Sequence, residues 1–230
     1  MRKFWDFAEK DGARELRLEG IIAEESWYGD EVTPQIFRAE LNAGKGDITV
    51  WINSYGGDVF AASQIYTALK EYSGGVTVKI DGIAASAGSV VAMAGDTVAM
   101  APTALLMIHD PSTIAIGNSE EMRAAVKMLA EIKESLISAY ELKTKLPREQ
   151  IARMMTAETW IPARKAVELG FADEVLYSGG AADSGEALIY SRAAVTNSLL
   201  EKIRQRRSFA QDNRIDAVHF HKRLEFLQGR

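Results

Sequence analysis

The sequence predicts an α/β fold in which strands alternate with helices through mostly right-handed crossovers. Three observations carry this prediction. First, two β-branched apolar runs, Asp47 to Asn53 and Val76 to Ile83, are each followed at once by a stretch with helical spacing or small helix-compatible residues. Second, glycine and proline stand at the junctions between these runs, where strands must turn into helices. Third, the 230 residues are 47% hydrophobic and 26% charged, a composition that supports a sizeable globular core.

Taken in order, Glu15 to Ala23 alternates and then becomes apolar, as a strand entering a core does. Thr33-Pro34 supplies an N-cap followed by proline at the first helical position, opening a helix to about Leu41 that ends before Gly44. Asp47 to Asn53 is a buried strand that breaks at Ser54-Tyr55-Gly56-Gly57, and Asp58 to Tyr72 is a helix with Val59, Ile65 and Leu69 on one face. Val76 to Ile83 is a strand, Ala84 to Met93 a short helix of small residues, and Thr97 to Ala101 and Ala104 to Ile108 are brief strands. Ser119 to Leu146 is a long amphipathic helix, with Met122, Ala125, Met128, Leu129, Ile132, Leu136 and Tyr140 at steps of three and four. Pro147 opens a short helix, Ile161 to Leu169 is another closed by Gly170, and Phe171 to Leu176 is a last strand.

Ser178 to Glu186 (SGGAADSGE) has linker composition, so the chain divides into a unit over 1–177, a linker over 178–186 and a partly helical extension over 187–230. No internal repeat is visible. From Glu201 onward eight Lys or Arg stand against four Asp or Glu, a basic end suited to a solvated helix face or an interaction tail.

Several function classes are disfavoured at this stage. A net charge of −5 argues against nucleic acid as the main partner. The absence of cysteine excludes disulfides and thiolate metal sites; no metal and no cofactor are expected. The N-terminus lacks the apolar stretch of a signal peptide, and the longest apolar run, near Val90 to Ala94, is far short of the ~20 residues of a spanning helix. A soluble, cytoplasmic protein without a membrane partner is the expectation.

Four features bear on chemistry. His109 is the one core histidine, at the end of the apolar Leu105-Leu106-Met107-Ile108; His219 and His221 lie in the basic tail. Alone, such a histidine is ordinarily a hydrogen-bonded core residue. Ser86 stands where a strand gives way to a helix, in Gly82-Ile83-Ala84-Ala85-Ser86-Ala87-Gly88-Ser89; on local sequence it reads first as an ordinary N-cap serine, and second as a hydroxyl at the positive end of a helix. Gly56-Gly57 after a buried strand allows a main chain that turns N–H groups toward a ligand, or a plain tight turn. Glu158 follows a short helix and offers a carboxylate that could orient an imidazole, or is simply solvated. With alanine at position 84 the G-x-S-x-G elbow of α/β-hydrolases is absent.

Together these segments resemble one family. Ile52-Asn53-Ser54-Tyr55-Gly56-Gly57-Asp58-Val59, Gly82-Ile83-Ala84-Ala85-Ser86-Ala87-Gly88 and Met107-Ile108-His109-Asp110-Pro111 look like the successive signature segments of the ClpP (S14) serine peptidases, matching in order and spacing from about Leu16 to Leu176. The resemblance implies a ClpP/crotonase-like fold of repeated β-β-α units with a long protruding handle helix. It makes Ser86 the nucleophile, His109 the general base and Glu158 the acid, with Gly57 and Ala87 as oxyanion-hole donors. The chain departs from the family at Glu158, where Asp is usual, at Tyr55, usually Pro, and at Asp110, usually Gln; the last two changes are expected to touch the substrate groove. The Glu158-Thr159-Trp160 segment and the C-terminal region are most similar to the ClpP-related head maturation proteases of phages and prophages.

That similarity implies protein or peptide substrates, capsid or scaffold proteins among them, cleaved in the host cytoplasm or the prohead. It implies a homo-oligomer, a heptameric ring or two stacked rings; the wide apolar stripe of the long helix also points to assembly. Docking of a Clp ATPase is left open, and self-processing in the 178–186 linker is a further expectation. Three competing readings stay alongside: a crotonase-fold acyl-CoA enzyme, a Ser-Lys signal-peptide peptidase, and a ClpP-like scaffold that cleaves nothing.

Overall fold

A computed structural model describes residues 3–10, 12–23 and 34–178. All belong to the first of the two units into which the chain divides, Met1–Asp183 and Ser184–Arg230. The expected linker (apart from Ser178) and the expected extension lie outside the described residues.

Strands β1 (Trp5–Lys10), β2 (Ala13–Ile22), β3 (Ile48–Gly57), β4 (Val76–Ala85), β5 (Thr97–Met100), β6 (Leu105–Ile108), β7 (Thr159–Pro162) and β8 (Glu174–Val175) make one sheet. Helices α1 (Pro34–Asn42), α2 (Val59–Lys70), α3 (Ala87–Ala92), α4 (Ser119–Thr144), α5 (Arg148–Thr156) and α6 (Ala163–Leu169) connect them. The strand order is β1-β2-β3-β4-β5-β8, parallel from β2 to β8, with β1 antiparallel at one edge.

β4 is the branch point. Its first half, Thr77 to Ile80, pairs with β5, and its second half, Ile83 to Ala85, pairs with β6. The sheet therefore divides along one strand, and β6 continues antiparallel to β7. In parallel sheets a crevice opens beyond the carboxyl ends of strands where the connection changes sides. Here the carboxyl ends of β3, β4 and β6 meet at such a place.

The core follows from the strand period of two. Leu16, Leu18 and Ile22 of β2, Ile48, Val50 and Ile52 of β3, and Val76, Val78 and Ile80 of β4 are all buried on one face. Phe37 and Leu41 of α1, Ile65 and Leu69 of α2 and the whole of α3 pack into the same core. On the opposite face Trp51 lies between its ladder neighbours Arg17 and Lys79, whose cations sit 5.5 and 5.1 Å from its ring.

Several boundaries differ from the sequence expectation. β3 runs on through Gly57 rather than breaking at Ser54, because Gly56 and Gly57 still pair with Ile21 and Ile22 across a register shift. β4 continues to Ala85, since β6 offers a ladder partner that local sequence cannot reveal; α3 starts only at Ala87. β7 occupies the start of what reads as a helix from Ile161, so α6 begins after Pro162. β1 went unseen in the mixed N-terminal sequence; Phe4 and Trp5 hold that edge in edge-on aromatic contacts, Trp5 also against Phe37.

α4 opens with a capping box, Asn118 accepting from the Glu121 backbone and Glu121 accepting from the Asn118 backbone. Only its C-terminal half is buried, through Leu136, Ile137, Ala139, Tyr140 and Thr144. Its N-terminal half projects, leaving Val126 and Met128 exposed. No helix among the described residues is long and apolar enough to cross a membrane.

Candidate active site

The ladders bring together three segments that are far apart in sequence. Ala85, the last residue of β4, pairs with Met107 of β6, and the Ser86 N–H continues that ladder by donating to the Met107 carbonyl at 2.9 Å. One residue past the end of β6 stands His109. Its Nε2 lies 2.7 Å from Ser86 Oγ. The hydroxyl donates to Nε2 when the ring carries its proton on Nδ1.

Ser86 occupies the N-cap position of α3, yet its side chain makes no capping bond. The plain N-cap explanation of this serine is thereby removed. Its φ of 54° places a non-glycine residue in left-handed backbone, a conformation that costs of order 1–3 kcal/mol and persists only where its surroundings impose it. Those surroundings are visible. A Cβ on Gly56 would stand 2.7 Å from both the Ala85 carbonyl and Ser86 Cβ, so the end of β3 presses against the serine turn with no space between. Buried Ser54 donates to the Gly20 carbonyl and accepts from the Gly56 N–H, fixing the glycine turn to β2.

A second tie comes from α4. Ser89 Oγ donates to the Ser86 carbonyl at 2.6 Å, and the Tyr140 hydroxyl lies 2.8 Å from that Ser89 Oγ. A serine hydroxyl has one proton, so with that proton on Ser86, Tyr140 is the donor in the second bond. Burial pushes the Tyr140 phenol far above its ordinary range, the bond to Ser89 opposing this only in part. The phenol therefore stays protonated and able to donate. Neither Ser89 nor Tyr140 carries a sequence signal for this role; each reads as a small-residue helix position or an apolar stripe member.

Gly57 and Ala87 line the same cleft as Ser86 and His109, a cavity of about 210 Å³ walled on the far side by Met128, Leu129, Ile132 and Leu136 of α4. Gly57 has φ +146°, and a Cβ there would stand 2.0 Å from the Ile22 carbonyl, so glycine is obligatory for packing as well as for conformation.

Glu158 follows the C-cap of α5 with φ 49°. The β6–β7 ladder ends at Ile108 with Thr159, so Glu158 and His109 are the next residue on each strand. The backbone sets them side by side, but the carboxylate accepts from the Trp160 indole N–H at 3.2 Å. Among the described residues His109 is bonded to Ser86 and not to Glu158.

Asp110, expected to touch a substrate groove, is not among the residues lining this cleft. Its carboxylate turns away to Lys133 of α4 and Thr156 of α5. Tyr55 is partly exposed on β3. Among the described residues no group of three or more acidic or histidine side chains is arranged to hold a metal.

A family model described as Clp protease matches residues 13–179. The chain belongs to the Clp protease family. It is 34% identical over 132 residues to the ATP-dependent Clp protease proteolytic subunit 2 of Thermobifida fusca, a match covering 56% of this chain and 65% of that subunit, just under two thirds. It is 29% identical over 154 residues to the proteolytic subunit of Deinococcus radiodurans (66% of this chain, 76% of that one). A third relative, proteolytic subunit 1 of Chlamydia muridarum, is 31% identical over 153 residues (64% and 79%). Among solved structures, an asparagine-to-aspartate mutant of ClpP1 from Listeria monocytogenes superposes with a TM-score of 0.61 at 23% identity, covering 70% of this chain and 90% of that one. The fold is thus the ClpP fold, and the family is one of serine-type endopeptidases.

Proposed function

We propose that this member of the Clp protease family is a serine endopeptidase in which Ser86 is the nucleophile and His109 the general base. The observation that carries the reading is the 2.7 Å contact between Ser86 Oγ and His109 Nε2 at the meeting of three strand ends. In acylation His109 takes the Ser86 proton as the hydroxyl attacks a peptide carbonyl, then gives it to the leaving amine; water reverses the sequence and frees the acid. The N–H groups of Gly57 and Ala87 serve the oxyanion, a type of contact worth about 2.7–4 kcal/mol per donor. Glu158 is assigned as the acid that orients His109 once its carboxylate exchanges the Trp160 indole for the imidazole.

The apolar α4 wall of the cleft suits an apolar substrate side chain beside the bond cleaved. The exposed half of α4, with Val126 facing away from the cleft, supports assembly of several copies, as a heptameric ring or two stacked rings. The narrower assignment is processing of phage capsid or scaffold proteins, in the host cytoplasm or the prohead; it is supported by the Glu158-Thr159-Trp160 segment and the residues beyond 177. An acyl-CoA enzyme on this fold would have no use for a bonded Ser-His pair, and a non-cleaving scaffold no use for a strained serine.

A fluorophosphonate tests the assignment. It is expected to label Ser86 alone, and Ser86→Ala or His109→Ala is expected to lower kcat on casein by on the order of 10⁶ with the fold intact. Labelling elsewhere, or a wild type as inert as Ser86→Ala, overturns it. Gly57→Ala is no test of the oxyanion role, because the Ile22 carbonyl would be struck whatever the chemistry.

A further inference from the structure

We propose that Lys133 is a positioning residue for the catalytic base, joining α4 to the two chain ends that carry His109 and Glu158; this rests on the peptidase reading above. His109 is the first residue beyond the β6 ladder, and neither it nor residues 110–118 that follow belong to a strand or helix. Ladder bonds therefore fix Ile108 but not what comes after, and side chains must hold the imidazole's segment in place.

Asp110 provides that hold. Its Oδ1 forms a close ion pair with Lys133 Nζ at 2.7 Å, a charge contact rather than an aligned hydrogen bond. Its Oδ2 lies 3.1 Å from Thr156 Oγ1, which shares its single proton between Asp110 and the Ala152 carbonyl at 3.0 Å. Lys133 Nζ also donates to Thr156 Oγ1 at 2.8 Å, closing a ring of three side chains. One member is next to His109, one is two residues before Glu158, and one sits on α4 beside Ile132, a wall residue of the cleft. A shift of α4 thus moves the cleft wall and the base together.

Lys133 is not required to pack α5 on α4. Arg148 does that independently, bonding Glu134 and Glu141, while Ile151 and Met155 are buried beneath. The side chain of Lys133 is 22% exposed, so its pair with Asp110 is screened less than an open surface pair. What the ammonium contributes beyond Arg148 is the tether on the His109 segment.

Lys133→Met keeps the stem and removes the charge. A misplacement of about 1 Å can cost up to ~10²-fold in rate, and the expected result is a roughly tenfold fall in kcat on a chromogenic peptide, KM within about twofold and an equal slowing of fluorophosphonate labelling at Ser86. Asp110→Asn should do the same, the double variant should add nothing, and Lys133→Arg should restore at least half the rate. Salt at 1 M should slow the wild type and leave Lys133→Met unchanged. Arg148→Ala, which loosens α5 without touching Asp110, should lower the melting temperature yet label Ser86 at the wild-type rate. The inference is overturned if Lys133→Met labels as fast as wild type, or if Arg148→Ala slows labelling as much as Lys133→Met does. Should the wild type itself fail to label at Ser86, the peptidase reading falls first.

Discussion

The two halves of the site are built on different principles. The half around the proposed nucleophile is buried and neutral: Ser54, Ser89 and Tyr140 are buried, their hydroxyls bond one another or backbone, and Gly56 leaves no space beside Ser86. The half bearing the proposed base and acid is charged and half-open: Asp110 is paired with Lys133, and Glu158 bonds the indole beside it rather than the imidazole. Buried neutral bonds hold one geometry rigidly, because breaking any of them leaves an unsatisfied polar group. A partly exposed ion pair holds less firmly, an exposed pair being worth about 0–1 kcal/mol. Buried bonds thus fix the Ser86 turn, while the segments bearing His109 and Glu158 are held by fewer and more exposed ones.

The sharpest way to break this contrast is through packing at Gly56. Gly56→Ala adds a methyl against the Ala85 carbonyl and Ser86 Cβ at φ +91°, whereas Gly20→Ala meets nothing within 4 Å at a similar φ of +88°. Both incur left-handed strain of about 1–2 kcal/mol, and Gly56→Ala adds overpacking of ~1–3 kcal/mol. Denaturant titration should therefore find Gly56→Ala the more destabilised of the two, with Ser86 labelling lost in it alone. Equal losses would mean that strain, and not contact with the serine turn, is what glycine relieves there.

A smaller effect is expected at Tyr140. Tyr140→Phe leaves the buried Ser89 oxygen short of a donor, at about 1–3 kcal/mol, and chemical denaturation would read this at neutral pH. The pH dependence carries a sign. A phenol whose folded pKa is raised above the unfolded value of about 10 stabilises fully below that value and loses its contribution as pH rises through and beyond it. Wild-type stability should thus fall more steeply above pH 10 than that of Tyr140→Phe. Parallel curves would show that the phenol is not held as the buried donor to Ser89.

How much of this was legible in the sequence divides along the same line. The α/β class and most elements could be read from local patterns such as a β-branched run or a helical period, whereas the segments bearing Gly57, Ser86, Ala87 and His109 stood out only jointly, through the family resemblance of their order and spacing. The extension of β4 to Ala85 and the existence of β7 could not be read, because both depend on β6 as a partner, and pairing is non-local. For the same reason the Ser89–Tyr140 bond, spanning 51 residues, left no trace in either segment. The groove expectation for Asp110 rests on the family's usual Gln at that position; Lys133 and Thr156, which draw it the other way, are 23 and 46 residues on. Its departure from the family pattern was the signal, and only the fold says what it signals.

The finest test lies at Glu158. Its carboxylate has two neighbours in reach of its place on the chain: the Trp160 indole, which it bonds, and His109, which stands at the adjoining strand end. Trp160→Phe keeps an aromatic ring packed on Ile83, Ala85 and Met107 and removes the competing N–H. A half-exposed bond of this kind is worth about 1 kcal/mol, so the freed carboxylate should favour His109 and raise kcat by up to roughly fivefold, with stability little changed. Trp160→Ala, which also removes the packing, should lower both. If Trp160→Phe slows the enzyme instead, the indole is holding Glu158 in its working position rather than away from it, and the acid half is as complete in one chain as the nucleophile half.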